Sequence, residues 1–258
     1  MRKGLFLLLA VALGALFIGG CTTGTGETGD KIDTEAFFPN EKDNYWTYLV
    51  EGDGADYNQT QTIMDEPDVL LAGQQRIRIQ NDSDDDGDYL DVEITDNETD
   101  SLQMTGLELY QNGSRVEREF WDDNPFMMLV WDDYGINDGD EWDAWEITGF
   151  DNPWFWGLPD GLMDSLGMLL TAEVDGTDDF TYGDDTLTAY KIVVSGDATF
   201  EQDDEDPEDW GSYNWQRDYY FVPEFGYVKI QEYQEQYGQM IEADTYTLID
   251  TNVPVPTQ

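Results

Sequence analysis

The sequence predicts an all-β protein: a large antiparallel curved sheet, open barrel or sandwich, with at most one short helix in its mature domain. Three observations predict it. Apolar and polar residues alternate with a period of two. Aromatic and β-branched runs are separated by acidic turns. The pair Asn112-Gly113 sits between two such runs. Period-two alternation puts every second side chain on one face, as a half-buried strand requires. Asn-Gly accepts the positive φ of a tight hairpin turn.

In chain order, Asn44–Val50 (NYWTYLV) is aromatic and β-branched and reads as a strand, and Thr60–Met64 is a weaker one. Gln74–Gln80 sets Ile77 and Ile79 against Arg76 and Arg78. Leu90–Thr95 sets Leu90, Val92 and Ile94 against Asp91, Glu93 and Thr95, and the two segments should form a hairpin. Leu107–Tyr110 and Arg115–Phe120 flank the Asn-Gly turn. Phe126–Trp131, Trp142–Ile147, Leu187–Val194, Arg217–Val222, Tyr227–Tyr233 and Thr245–Ile249 complete the strands. Leu158–Leu170, opening near Pro159-Asp160, is the one helix candidate, weakened by Gly161 and Gly167. A coarse repeat suggests two halves, 36–135 and 136–251. Trp46 and Tyr48 would answer to Trp142 and Trp145, 75–79 to 190–194, and 107–110 to 219–222, with drifting spacings. Residues 252–258 form a Pro-containing tail.

Ahead of this domain stands a basic start, Arg2-Lys3, and an apolar run from Leu5 to Ile18 that is too short for a membrane span of about twenty residues. It ends in Ile18-Gly19-Gly20-Cys21, which resembles the lipobox of bacterial lipoproteins. The resemblance implies a signal peptide over 1–20 and acylation of Cys21, the single cysteine of the chain. Each buried methylene adds roughly 0.8 kcal/mol, so several acyl chains would anchor firmly. Thr22, a residue other than aspartate after the cysteine, points to the outer membrane where there is one. Residues 21–35, rich in Gly and Thr, read as the lipidated cysteine and a flexible tether.

Charge and composition restrict the chemistry. The 258 residues carry 58 Asp and Glu against 11 Lys and Arg, a net −47. Such a surface repels nucleic acid and anionic lipid heads. Its even spread along the chain favours adaptation to salt, a halophilic trait, with divalent cation binding as a compatible second cause. There is no His, which excludes Ser-His-Asp and Cys-His sites and His-ligated zinc.

One acidic run has ligand spacing. From Asp82 through Asp84, Asp86, Gly87 and Asp88 to Glu93, the chain matches the D-x-D-x-D-G-x5-E calcium loop. Alternate carboxylates converge on a hard cation, glycine permits the sharp turn, and a late acid closes the shell. Calcium bound there, without flanking helices, would be held at about 10⁻⁴ to 10⁻³ M. The plain alternative is a solvated acidic hairpin tip. Asn137–Glu141 and Asp203–Asp206 lack such spacing and read as surface turns.

Two further stretches carry a resemblance. Phe37-Phe38-Pro39 before Tyr45-Trp46-Thr47-Tyr48, and Tyr219–Pro223 before Gly226-Tyr227-Val228-Lys229, resemble marks of a broad group of uncharacterised β-rich bacterial envelope lipoproteins, over about residues 36–250. That group has glycine after the proline where this chain has Glu224, which implies a different turn. The resemblance implies a noncatalytic envelope protein. Trp131, Trp142, Trp145, Trp154, Trp156, Trp210 and Trp215 open a carbohydrate-binding alternative, because indole faces stack on sugar rings. A lipid or lipoprotein carrier with an apolar cavity is another. No carboxylate pair stands out among 58 acids as a glycosidase couple. The leading expectation is a noncatalytic, lipid-anchored protein of the bacterial cell envelope, not an enzyme. It would have a structural or binding role, a membrane partner through Cys21, an unidentified protein or glycan partner, and calcium as its one candidate cofactor.

Overall fold

A computed structural model describes residues 37–52, 56–64, 70–71, 74–75, 77–83, 89–97, 101–111, 114–120, 124–132, 135–150, 165–201, 211–236 and 239–256. Among them there are fifteen strands and no helix. They are β1 Tyr45–Glu51, β2 Tyr57–Ile63, β3 Leu70–Leu71, β4 Gln74–Gln75, β5 Ile77–Ser83, β6 Tyr89–Asn97, β7 Ser101–Gln111 and β8 Ser114–Phe120. Then come β9 Phe126–Val130, β10 Glu141–Phe150, β11 Ser165–Tyr182, β12 Asp185–Glu201, β13 Gly211–Val222, β14 Gly226–Gln236 and β15 Gln239–Thr251.

Thirteen strands form one antiparallel sheet in the order β10-β11-β12-β13-β14-β15-β1-β2-β5-β6-β7-β8, with β9 beside β7; β3 and β4 form a separate two-stranded sheet. The expected hairpins, β5 with β6 and β7 with β8, are present. Two meanders are joined at mid-sheet by β15 and β1, where Val50 pairs with Tyr246. Trp46 and Trp142 each stand on the first strand of a meander. Leu107–Tyr110 and Tyr219–Val222 occupy different strand positions, β7 and β13.

The helix candidate is corrected in its second half. Ser165–Leu170 opens β11, pairing through Leu170 with Gly196 of β12. Met168, Leu170, Ala172 and Val174 are buried in alternation with the exposed Leu169, Thr171, Glu173 and Asp175. A helix would have put Leu169 and Leu170 on one flank. The strand buries Leu170 and leaves Leu169 58% exposed. Residues 158–164 lie outside the described residues.

The sheet curls until its ends meet. β10, at one end, has no ladder to β9 near the other. Instead Trp142 Nε1 donates to the Met127 carbonyl (3.0 Å), Trp145 Nε1 donates to that of Asn124 (2.9 Å), and the Phe126 and Trp145 rings lie 5.7 Å apart. The result is an open barrel whose seam is held by side chains.

Its interior is filled at one end. Phe37 packs on Trp131 (4.9 Å between centroids) and Phe221 (5.5 Å), and Phe38 packs on Trp46 and Tyr227. Trp46 Nε1 donates to the Phe225 carbonyl (2.7 Å) and the Tyr48 hydroxyl to that of Tyr227 (2.9 Å), so the polar tips of these rings are satisfied inside the core. Val253 is buried there too and Val255 packs partly against the core, so the C-terminal segment packs on the domain as far as Val255. At the β13–β14 turn the Glu224 amide donates to the Phe37 carbonyl, and Glu224 takes a φ of 62°. The residue standing where the resemblance has glycine thus keeps a glycine-like backbone.

Candidate functional site

Directly opposed residues of an antiparallel pair point to the same face. On β12 and β13, Tyr190 opposes Phe221, Ile192 opposes Tyr219, and Val194 opposes Arg217. Phe221, Tyr219 and Ile192 are buried core residues, so Arg217 also faces inward. Arg217 opposes Glu232, Tyr219 opposes Ile230, and Ile230 opposes Tyr246. Tyr246 opposes Val50, Val50 opposes Tyr57, and Tyr48 opposes Gln59. Moving away from Phe37, the inward face therefore changes from a packed aromatic core to a half-buried mixture. That mixture contains Trp215, Arg217, Glu232, Tyr246 and Tyr57; Gln59, opposite the buried Tyr48, stands nearer the core.

Its centre is a cross-strand ion pair between Arg217 Nη2 and Glu232 Oε1, with side chains 31% and 23% exposed. Arg217 Nη1 donates to the Tyr219 hydroxyl (3.4 Å), and the guanidinium carbon lies 5.5 Å from the Trp215 ring centroid and 5.9 Å from that of Tyr219. Arg217 Nε is buried without a hydrogen-bond partner. Burial opposes the Arg217 charge, but Glu232 beside it prevails and holds the guanidinium above its ordinary pKa. Burial, reinforced by Glu232, pushes the Tyr246 hydroxyl well above the ordinary tyrosine value. The arrangement sets one carboxylate and one guanidinium among aromatic side chains, beyond the packed aromatic end of the interior.

The outward face of the same strands carries a second network. Asp218, 2% exposed, lies 3.4 Å from Lys191 Nζ and accepts from Gln216 Nε2 (2.8 Å) and the Tyr233 hydroxyl (3.4 Å). Lys191 also binds Asp175 at 2.8 Å, and that bond lifts the Lys191 pKa above its ordinary value. Burial, followed by Asp218, pushes Tyr233 up to about 12. Beside the network lies a hollow of about 140 Å³ lined by Asp178, Asp179, Phe180, Ala189, Tyr220 and Lys229, with Lys229 Nζ 4.9 Å from the Tyr220 centroid. It is smaller than the few hundred Å³ that ordinary ligand pockets enclose.

The residues singled out by sequence fall as follows. Asp82 is the last residue but one of β5, exposed, and pairs with Thr60. Asp91 opposes Asn81 and Glu93 opposes Ile79. Glu93 is therefore level with a residue three before Asp82, roughly 10 Å along the strand, whereas Asp91 stands one residue from it. Asp84, Asp86 and Asp88 lie outside the described residues, as does Cys21. Among the described residues no three acidic side chains converge as a metal site. Trp131 and Trp145 are core residues, 3% and 2% exposed, and Trp142 and Trp215 pack partly against the core. Trp154, Trp156 and Trp210 lie outside the described residues. Asn137–Asp140 is a turn, closed by the Asn137 amide on Asp140 Oδ2 (2.7 Å).

Sequence reasoning missed the Arg217–Glu232 pair. The available signal was a charge on the apolar face of a strand, at Arg217 in register with Tyr219 and Phe221.

No family model matches the chain, and no curated protein matches it. Two solved structures are similar. One is a protein described as exported, with a YmcC-like fold, from Bacteroides fragilis NCTC 9343. It has 10% identity and a TM-score of 0.34, over 84% of this chain and 98% of that one. The other, described as a lipoprotein, is from Parabacteroides distasonis ATCC 8503. It has 11% identity and a TM-score of 0.36, over 84% and 98%. At these values neither likeness carries an argument about this chain.

Proposed function

We propose that this chain is a noncatalytic, lipid-anchored protein of the bacterial cell envelope, held at the outer membrane by acylated Cys21, with a binding role. The observation that carries the binding role is the inward-facing Arg217–Glu232 pair among Trp215, Tyr246 and Tyr57. A purely structural barrel would gain stability from apolar residues at those positions, because taking an ion pair out of water often costs more than its attraction returns. Phe37, Phe38 and Trp131 fill the apolar end, the space that a carrier would give to an acyl chain. The noncatalytic reading is supported by the lack of His and by the engagement of the Glu232 carboxylate with Arg217.

Anchoring is tested by expressing the full chain and its Cys21→Ala variant with labelled fatty acid. The label and the protein should both appear in the membrane fraction with Cys21 and leave it without; protein that stays in the membrane fraction as Cys21→Ala would refute the anchor. Calcium stabilisation through Asp82–Glu93 belongs to the same reading. The full chain in detergent should melt higher with calcium than with EDTA, and the difference should vanish in the Asp84→Asn/Asp86→Asn variant. A rise with NaCl alone would make the acids a salt adaptation and the calcium spacing a coincidence of composition.

A further inference from the structure

We propose that Asn58 is a covalent glycosylation site, modified while the chain crosses the membrane; this rests on the export proposed above and adds a modification to it. The chain holds four Asn-x-Ser/Thr triplets, at Asn58, Asn81, Asn97 and Asn112. Such a triplet sets an amide and a hydroxyl two residues apart, and a transferase binds the hydroxyl to orient the amide. Two observations favour Asn58-Gln59-Thr60. An acid, Asp56, stands two residues before its asparagine, where the other three triplets have Ile79, Thr95 and Tyr110. A basic subsite on the transferase gains a charge-assisted contact from that carboxylate. The fold also leaves the acceptor free: Asp56 and Asn58 are exposed and Thr60 is half-buried. Tyr57 turns inward opposite the buried Val50, so Asn58 and Thr60 share the outer wall of the β1–β2 hairpin.

The transfer joins Asn58 Nδ2 to the anomeric carbon of an oligosaccharide carried on a lipid pyrophosphate. The bond from that carbon to the pyrophosphate oxygen breaks. The amide gives up one proton, and the lipid pyrophosphate leaves with the bonding electrons. The fold sets the time of the reaction. In the folded domain Asn58 pairs with Leu49, and Thr60 Oγ1 lies 3.0 Å from Thr47 Oγ1. The hydroxyl that the transferase must hold is then engaged, and the backbone around it is fixed in a ladder. The acceptor is therefore the chain before β1 and β2 have paired. Once they pair, the glycan stands on the outer wall beside Leu49 and Thr247, neighbours across β1 and β15, and displaces no core residue.

The test isolates the full chain from the cells it comes from and weighs its tryptic fragment 43–76, bounded by Lys42 and Arg76. The fragment from the membrane fraction should carry the added mass of an oligosaccharide. That mass should vanish in Asn58→Gln and in Thr60→Val, and should remain on at least part of the Thr60→Ser chain, which keeps the hydroxyl. Asp56→Ala should lower the modified fraction several-fold, and an unchanged fraction would overturn the upstream contact. Asn58→Gln keeps an exposed amide, so its urea midpoint serves as the check that the variant folds. The proposal is overturned if the fragment has its unmodified mass, if the added mass survives in Asn58→Gln or Thr60→Val, or if it sits on Asn81, Asn97 or Asn112 and not on Asn58. An unmodified fragment from a chain that fractionates with the membrane would reject the acceptor and keep the envelope reading. An unmodified chain that stays in the cytoplasm would reject both.

Discussion

Two neighbouring turn residues have opposite demands. Gly226 has a φ of 101°, and a methyl group there would come 2.9 Å from Trp46 Nε1. Gly226→Ala should therefore cost about 2–4 kcal/mol, from backbone strain and from displacing the indole that binds the Phe225 carbonyl. Gly183, with a φ of 61° and open space around it, should lose only about 1 kcal/mol as alanine. Glu224 runs the other way. At a φ of 62° it carries the strain that glycine avoids, so Glu224→Gly should gain a few tenths to about 1 kcal/mol, less the entropy glycine adds to the unfolded chain. Urea denaturation of the three variants reads all three signs. Glu108 is a separate case: fully buried, it accepts from Arg115 (3.0 Å) and the Tyr110 hydroxyl (3.1 Å) and lies 3.5 Å from Arg78. Glu108→Ala should cost about 3 kcal/mol by stranding these partners. Burial and Glu108 together raise the Tyr110 pKa, so the same variant should move its ultraviolet titration back toward the ordinary value.

At the level of elements, the strands with strict alternation were legible, and so were both hairpins. β11 was obscured because Gly167 and the run Met168-Leu169-Leu170 imitate a weak helix. The alternation that would have revealed it, Met168, Leu170, Ala172 and Val174, continues into an acidic stretch that reads as a turn. The candidate site was hidden for a different reason. Arg217 and Glu232 become neighbours only once the β13–β14 register is known, and that register shifts at a bulge between Tyr220 and Phe221. The curling of the sheet was equally invisible, because it depends on two indole N–H groups reaching carbonyls 15 and 21 residues away in sequence. Those bonds make a prediction about the seam. Trp142→Phe and Trp145→Phe should each cost about 1 kcal/mol or somewhat more, and should speed amide exchange in β9 and β10 more than in β13 and β14. Uniform exchange across the sheet would mean that the seam is not a separate weak element.

For the whole molecule, alkaline stability is the informative axis. Lys191 gains Asp175 and Asp218 on folding, and Tyr233 and Tyr246 are buried, so all three hold their protons more tightly folded than unfolded. Where the native state binds more protons, stability falls as pH rises. Their contribution is complete below about pH 10, the ordinary range of tyrosine and lysine, and for Tyr233 is lost by about pH 12. The urea midpoint should hold as pH approaches 10 and drop beyond it, and Tyr233→Phe should flatten the drop. A midpoint that falls equally in that variant would exclude Tyr233 as a contributor.

The middle of the sheet is closed by the pairing of residues 46–51 with residues 245–251. The first strand of the domain must therefore wait for the last one before either meander is anchored to the other. Contacts so distant in sequence make folding slow. A chain emerging from a membrane channel, N-terminus first, would have its β1 edge uncovered until nearly every residue had passed. Under the proposed export, such an order of assembly would keep the chain unfolded in transit and postpone completion of the barrel to the compartment beyond. Truncation before residue 239 would likewise remove a central strand, not an edge, and should abolish folding of the whole sheet.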